Sequence, residues 1–108
     1  MADFCQLQLT CASTEEAQEI AGHLLEAKLI ACAKFVPIES KFWWEGKIDS
    51  GKEVLVLMDT VASNFKTIEA EVAGLHSYET FVLLAVPITE LSKDATVWLE
   101  STIDKNRG

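Results

Sequence analysis

The chain has 108 residues, 49% of them hydrophobic, which places it in the single-domain globular class and excludes a disordered tail. A net charge of -8, from 9 Lys plus Arg against 17 Asp plus Glu, disfavours phosphate backbones and anionic lipid, so neither nucleic acid nor a membrane surface is an expected partner. The longest apolar run, residues 81–88, is far short of the roughly 20 residues of a transmembrane helix, and Met1-Ala2-Asp3-Phe4 has no basic signal-peptide start, so a cytoplasmic location is expected.

The first strand is predicted from residue 3 onward. Cys5, Leu7, Leu9 and Cys11 alternate with Phe4, Gln6, Gln8 and Thr10, the pattern of a strand with one buried face. Ser13 with Glu16 three residues later forms a capping box, and Ala17, Ile20, Ala21, Leu24 and Leu25 recur at helical spacing as far as Lys28.

Residues 29–35 are apolar and small, and Pro37 then marks a sheet edge, bulge or bend, because proline cannot donate to a ladder. The strand pattern resumes through Phe42, Trp43 and Trp44 to a reverse turn at Glu45-Gly46, and a second long strand follows over residues 47–58. Fully extended, residues 31–44 would span about 45 Å, against a usual strand length of roughly 17 to 20 Å. Trp43 and Trp44 are neighbours and point to opposite faces, so one monomer's core cannot take both.

A second helix carries Phe65, Ile68, Val72 and Leu75 on one stripe, with Gly74 near its end. His76-Ser77-Tyr78-Glu79 connects it to a strand over residues 81–86, apolar on both faces and stopped by Pro87. Ser92 is expected to cap a last helix with Ala95, Trp98, Leu99, Thr102 and Ile103 facing inward, and Asn106, Arg107 and Gly108 are expected to fray.

Strand, helix, long hairpin, helix, strand, helix is an α+β order. It gives a ferredoxin-like split β-α-β plan with an antiparallel sheet covered by helices on one face, plus an extra C-terminal helix. The last strand lies at a sheet edge in this plan, and an edge so apolar needs pairing with another chain. The hairpin overhang carries the same demand, so strand-paired oligomerisation is expected through Phe42, Trp43, Trp44, Val82 and Leu84.

Chemically, the chain is sparse. Arg107 is its one arginine, and no glycine pattern cradles phosphate. Cys5, Cys11 and Cys32 are an odd set without C-x-x-C spacing, which excludes a disulfide framework and a zinc ribbon and fits a reducing compartment. Cys5 and Cys11 share a strand face, yet six residues at about 3.3 Å each put them on the order of 20 Å apart. Cys5 and Cys32 read as small buried groups, whereas Cys11 precedes the first helix, where thiolate is favoured.

Of the two histidines, His23 reads as a partly exposed helix residue. His76 is the better site candidate because it ends a helix and enters a connection beside Tyr78 and Glu79. An enzyme using His76 with Tyr78 or Glu79 as acid and base is the weakest reading, because nothing in the chain names a substrate. A metal site would have to be assembled from distant segments or subunits.

These motifs have a family likeness. Thr10-Cys11, Leu29-Ile30-Ala31-Cys32-Ala33 with Pro37, Trp44-Glu45-Gly46-Lys47-Ile48, Asp59-Thr60, His76-Ser77-Tyr78-Glu79 leading into Ala85-Val86-Pro87-Ile88, and Trp98-Leu99 run nearly end to end. In that order they resemble the CutA family, the divalent-cation tolerance proteins. The resemblance implies a single CutA-like domain over residues 1–108 and a tight homotrimer similar in architecture to the PII signalling proteins. It also implies a link to copper or other divalent cations, and no enzymatic activity. Metal ligands implied in this way are His76, a carboxylate a few residues beyond it, and a cysteine of the first strand, for which Cys11 matches a cysteine of some members.

The chain departs from the pattern at several positions. Ser77 and Phe81 stand where the family loop commonly has prolines, Val82 where it has the acid, Leu9 where some members have cysteine, and Asp59 where a lysine is usual. An alternative expectation is therefore a PII-like small-molecule sensor or partner-binding module that uses clefts between subunits.

Overall fold

The computed structural model describes residues 3–103; the expected fraying at Asn106, Arg107 and Gly108 lies outside them. Four strands form one antiparallel sheet in the order β2-β3-β1-β4, from β1 (Phe4–Cys11), β2 (Cys32–Trp44), β3 (Lys47–Val61) and β4 (Leu83–Pro87). Helices α1 (Thr14–Glu26), α2 (Phe65–Leu75) and α3 (Lys93–Thr102) complete it, with a 3₁₀ turn, Ala62–Asn64, before α2. This is the ferredoxin-like α+β arrangement expected from the element order, with β4 at one edge and β2 at the other.

The period-2 pattern of β1 places Cys5, Leu7, Leu9 and Cys11 in the core, where Ile20 and Leu24 of α1 and Ile68 and Val72 of α2 pack on them. Leu25 does not share this burial: it is exposed, because the stripe it was assigned to is narrower than the spacing suggested. On β3, Val54, Val56 and Met58 face the same core, while Leu55 and Leu57 between them are half-buried on the opposite face. Helix α1 stops where Lys28 adopts a left-handed φ of 59°. Its N–H bonds the Leu25 carbonyl, and the Leu29 N–H bonds that of Leu24. Thr60 Oγ1 and Asn64 Nδ2 both donate to the Leu29 carbonyl, fastening this stop to the sheet.

Helix α3 corrects the one-sided plan. Its Leu99 and Ile103 are buried with Ala31, Val61 and Phe4, and by strand alternation Val61 and Phe4 lie on the sheet face opposite α1 and α2. Trp98, expected inside, is 44% exposed, because Leu99 and Ile103 alone make the buried seam. Ser92 occupies the cap position through its carbonyl, which accepts from the Thr96 N–H and hydroxyl; its own side chain makes no capping bond.

Beyond Val54, β3 loses β1 as a neighbour, so residues 38–53 form a two-stranded ribbon closed by Glu45 and Gly46 at positive φ. Trp43 and Trp44 take opposite faces, as expected, but neither fills the core: they are 73% and 47% exposed. The last strand is shorter than its apolar run, with Phe81 and Val82 preceding it and Pro87 inside it, paired with Cys5. Its outward side chains, Leu84 and Val86, are exposed beside Gln8 and Gln6 on the second face.

Candidate metal centre

Three chain segments meet at the C-terminal end of β1. Cys11 is the last residue of that strand, and alternation turns its side chain into the core. Two residues on, Ser13 Oγ accepts from the Glu16 N–H at 3.2 Å, and Glu16 Oε1 reaches back to the Ala12 N–H at 2.9 Å. The capping box thus holds Glu16 over the strand end. From the other side, α2 ends at His76, whose backbone turns extended (φ -76°, ψ 139°) and brings the imidazole back against β1.

The imidazole is fully buried and both of its nitrogens are occupied. Nε2 donates to the Thr10 carbonyl at 2.8 Å, and Nδ1 accepts the Tyr78 N–H at 3.0 Å. This pair of bonds fits the tautomer with its proton on Nε2. Phe81 stacks on the ring, with centroids 5.3 Å apart and planes at 16°, and Tyr78 packs tilted at 4.8 Å. Glu16 Oε1 lies 3.7 Å from Nδ1, and its Oε2 accepts the Ser77 N–H at 2.7 Å.

Ligand atoms of Cys11, Glu16 and His76 all lie within 4.8 Å of one another. The sequence expectations named His76 and Cys11, and the fold brings those two together. They missed Glu16, which reads as a helix cap and nothing more. Its position three residues into a helix that follows the strand holding Cys11 was the available signal. Glu53 was missed as well; its Oε2 accepts from the Tyr78 hydroxyl at 2.6 Å. Val82, where the resemblance places an acid, adds no ligand and stands exposed before β4. Phe42, Trp43, Trp44 and Leu84 belong to the ribbon and the free edge, apart from this cluster. His23 lies on the exposed surface of α1, with Nε2 2.5 Å from Glu71 Oε1.

Electrostatics revise one expectation. Burial, then the charges of Glu16 and Glu53, push the Cys11 thiol up to about 12, so the helix start does not make it a thiolate. Burial and the Glu53 carboxylate likewise push the Tyr78 phenol well above its usual range. For Glu16, burial raises the carboxyl, but the hydrogen bonds from Ala12 and Ser77 outweigh it and hold the group below its ordinary value. On the second sheet face, Cys32 Sγ donates to Asp59 Oδ2 at 3.0 Å, and Lys34 approaches the same oxygen at 3.7 Å.

A thiol, an imidazole and a carboxylate suit copper or zinc better than magnesium or calcium. In donor type and proximity the set fits a divalent cation. The Nδ1 lone pair, however, accepts a main-chain N–H, and so does each Glu16 oxygen.

Comparison with known proteins adds the family. The sequence model of the CutA1 divalent ion tolerance protein matches residues 5–102. The divalent-cation tolerance protein CutA of Archaeoglobus fulgidus is 40% identical over 98 residues, covering 91% of this chain and 96% of that one. That of Thermococcus kodakarensis is 34% identical over 85 residues, covering 79% and 82%. Among solved structures, the periplasmic divalent cation tolerance protein CutA from A. fulgidus superposes with a TM-score of 0.91 at 39% identity, covering 94% of this chain and 99% of that one. CutA1 from Oryza sativa gives 0.92 at 29% identity, with 95% of each chain covered. With a family match spanning nearly all of the described sheet and helices, the chain belongs to the CutA1 divalent ion tolerance family.

Proposed function

We propose that this divalent-cation tolerance protein acts without catalysing a reaction, by binding a copper-class divalent cation at Cys11, Glu16 and His76 as a cytoplasmic homotrimer. The observation that carries the metal reading is the meeting of those three donors within 4.8 Å, from segments as far apart as β1 and the end of α2. A cation held there would be ligated by one sulfur, one nitrogen and one oxygen, with the Cys11 proton released on uptake. Calorimetry with Cu(II) on the parent chain, His76→Ala and Cys11→Ser tests it. Binding that is weakened in both variants is expected, and identical titrations would remove these residues from the site.

Assembly is supported by the second sheet face. Val36, Leu84 and Val86 are exposed there and Leu55 and Leu57 only half-covered, while Phe42, Trp44 and Ile48 stand out from the ribbon. An apolar face that α3 covers at one end only, and that continues into the edge strand β4, is completed most simply by copies of the same chain. Light scattering that gives a stable monomer would sink this part. The free thiols of Cys5, Cys11 and Cys32 fit a reducing compartment, although the A. fulgidus relative is described as periplasmic; cell fractionation decides between them.

One observation favours the second reading, a PII-like sensor or partner-binding module. Two of the cluster's three donors, His76 Nδ1 and the Glu16 carboxylate, are already hydrogen-bonded within the chain. A thermal-shift screen of nucleotides against metals separates the two, since a true ligand raises apparent stability by mass action.

A further inference from the structure

The lone pairs that a cation would need at this cluster are held by two consecutive peptide N–H groups. Tyr78 N–H sits on His76 Nδ1 at 3.0 Å and Ser77 N–H on Glu16 Oε2 at 2.7 Å. Because Nε2 is spent on the Thr10 carbonyl, Nδ1 is the one imidazole atom left with a lone pair, and a nitrogen has only one. A cation and the Tyr78 N–H therefore cannot share it. The Glu16 oxygen has spare lone pairs, so there the Ser77 N–H weakens a cation's hold without excluding it.

The same connection is anchored again at its far end. Thr10 N–H donates to the Val82 carbonyl at 3.4 Å, and Phe81 stacks on His76. Residues 76–82 thus close as a hook around Thr10, fastened by the imidazole at one end and by the entry to β4 at the other.

We infer that the 77–78 main chain is an internal competitor for the cation, so that metal uptake at Cys11, Glu16 and His76 displaces the Tyr78 N–H, weakens the hold of the Ser77 N–H and loosens the connection leading into edge strand β4. The inference rests on the reading of this cluster as a metal site. It makes metal occupancy a control on the segment next to the free sheet edge. It also gives Ser77 a role: where the resembled family commonly has proline, this chain has a residue with an N–H to donate.

The test is amide hydrogen exchange on the full chain with and without Zn(II), which is redox-inert, beside calorimetry on the same samples and Mg(II) as control. With Zn(II) bound, exchange at Tyr78 is expected to rise by up to about tenfold, the size expected for losing a hydrogen bond of this strength, while the β1 and β3 amides stay protected and Mg(II) changes nothing. Heat of Zn(II) binding with an unchanged or slower Tyr78 amide overturns the competition and leaves the metal site standing. No heat at all overturns the metal site, and the competition with it. Ser77→Pro removes one competitor and no ligand, and the extended backbone of His76 already suits a following proline. It is expected to tighten Zn(II) binding several-fold; a folded variant that binds no tighter than the parent also overturns the competition. Exchange on the unaltered chain stands as the test if that variant does not fold.

Discussion

Glu16 and Ser77 are 61 positions apart in the chain, yet the Ser77 N–H lies 2.7 Å from Glu16 Oε2. The same carboxylate accepts from the Ala12 N–H, so one side chain caps α1 and holds the exit of α2. Glu16 is thus the tertiary link between the β1–α1 corner and the connection to β4. Hydrogen bonds to a charged acceptor are worth about 1.5–3 kcal/mol each, and Glu16→Ala loses two of them. A loss of about 3 kcal/mol in urea unfolding is expected, the lower end of their sum because both bonds lie at the surface. Glu15→Ala, one residue earlier and exposed, should cost under about 0.5 kcal/mol.

Acid acts on the same link. Because the folded-state carboxyl of Glu16 lies below its ordinary value, its contribution is present above the unfolded pKa near 4.5 and is lost as pH falls through the folded one. Glu16→Gln keeps the shape and cannot ionise. The stability gap between parent and Glu16→Gln should be constant near neutral pH and shrink on acidification below about 4.5. A gap that does not change with pH would mean that the carboxylate charge contributes nothing.

Cys11 works in the opposite sense. Its folded-state thiol is raised from 9.0 to about 12, so stability is fully present below pH 9 and is lost as pH rises toward 12. The slope of that loss approaches about 1.4 kcal/mol per pH unit. Comparing parent with Cys11→Ala by denaturant unfolding between pH 8 and 11 isolates it from the lysines, which titrate in both. The variant should decline less steeply.

What could be read from the sequence was whatever lies in local pattern. The alternation in β1, the Ser13–Glu16 box and the long arms around Glu45-Gly46 each declare themselves within a few residues, and each is found in the fold. The side on which α3 packs was not legible, since a stripe of Leu99 and Ile103 is the same whichever sheet face it meets. Nor was the outward turn of Trp98, whose apolar side chain is exposed in the single chain. For the site, His76 and Cys11 carry their chemistry in their residue type. Glu16 does not, because its local capping role fully accounts for it until the fold brings Ser77 to its other oxygen. The left-handed stop at Lys28 also lacked a signal, as glycine or asparagine is the usual mark.

That stop suggests a stabilising change. Lys28 holds a φ of 59° at the end of α1, a conformation that costs an L residue about 1 kcal/mol and glycine almost nothing. Lys28→Gly should therefore raise unfolding stability by up to about 1 kcal/mol, partly offset by the greater freedom of glycine in the unfolded chain. Lys28→Val, β-branched at the same φ, should lower it. Urea midpoints on the pair give the sign.

The ribbon poses the sharpest test of assembly. Ile48 pairs with Trp43 on one ribbon face, while Phe42 and Trp44 lie on the other, and among the described residues no third strand joins the ribbon. An isolated two-stranded ribbon is at best marginally stable in water, and under the proposed assembly contacts with other copies supply its order. Trp44→Asp places a charge where burial against a neighbour is expected, and Leu84→Lys does the same at the free edge of β4. Each is expected to shift light-scattering mass toward the monomer and Trp fluorescence to longer wavelength. Glu19→Lys, an exposed residue of α1 away from the ribbon and β4, serves as the control for charge alone. If Trp44→Asp and Leu84→Lys both keep the parent's mass, the ribbon and the β4 edge are not the assembly surfaces, and the apolar second sheet face needs another cover.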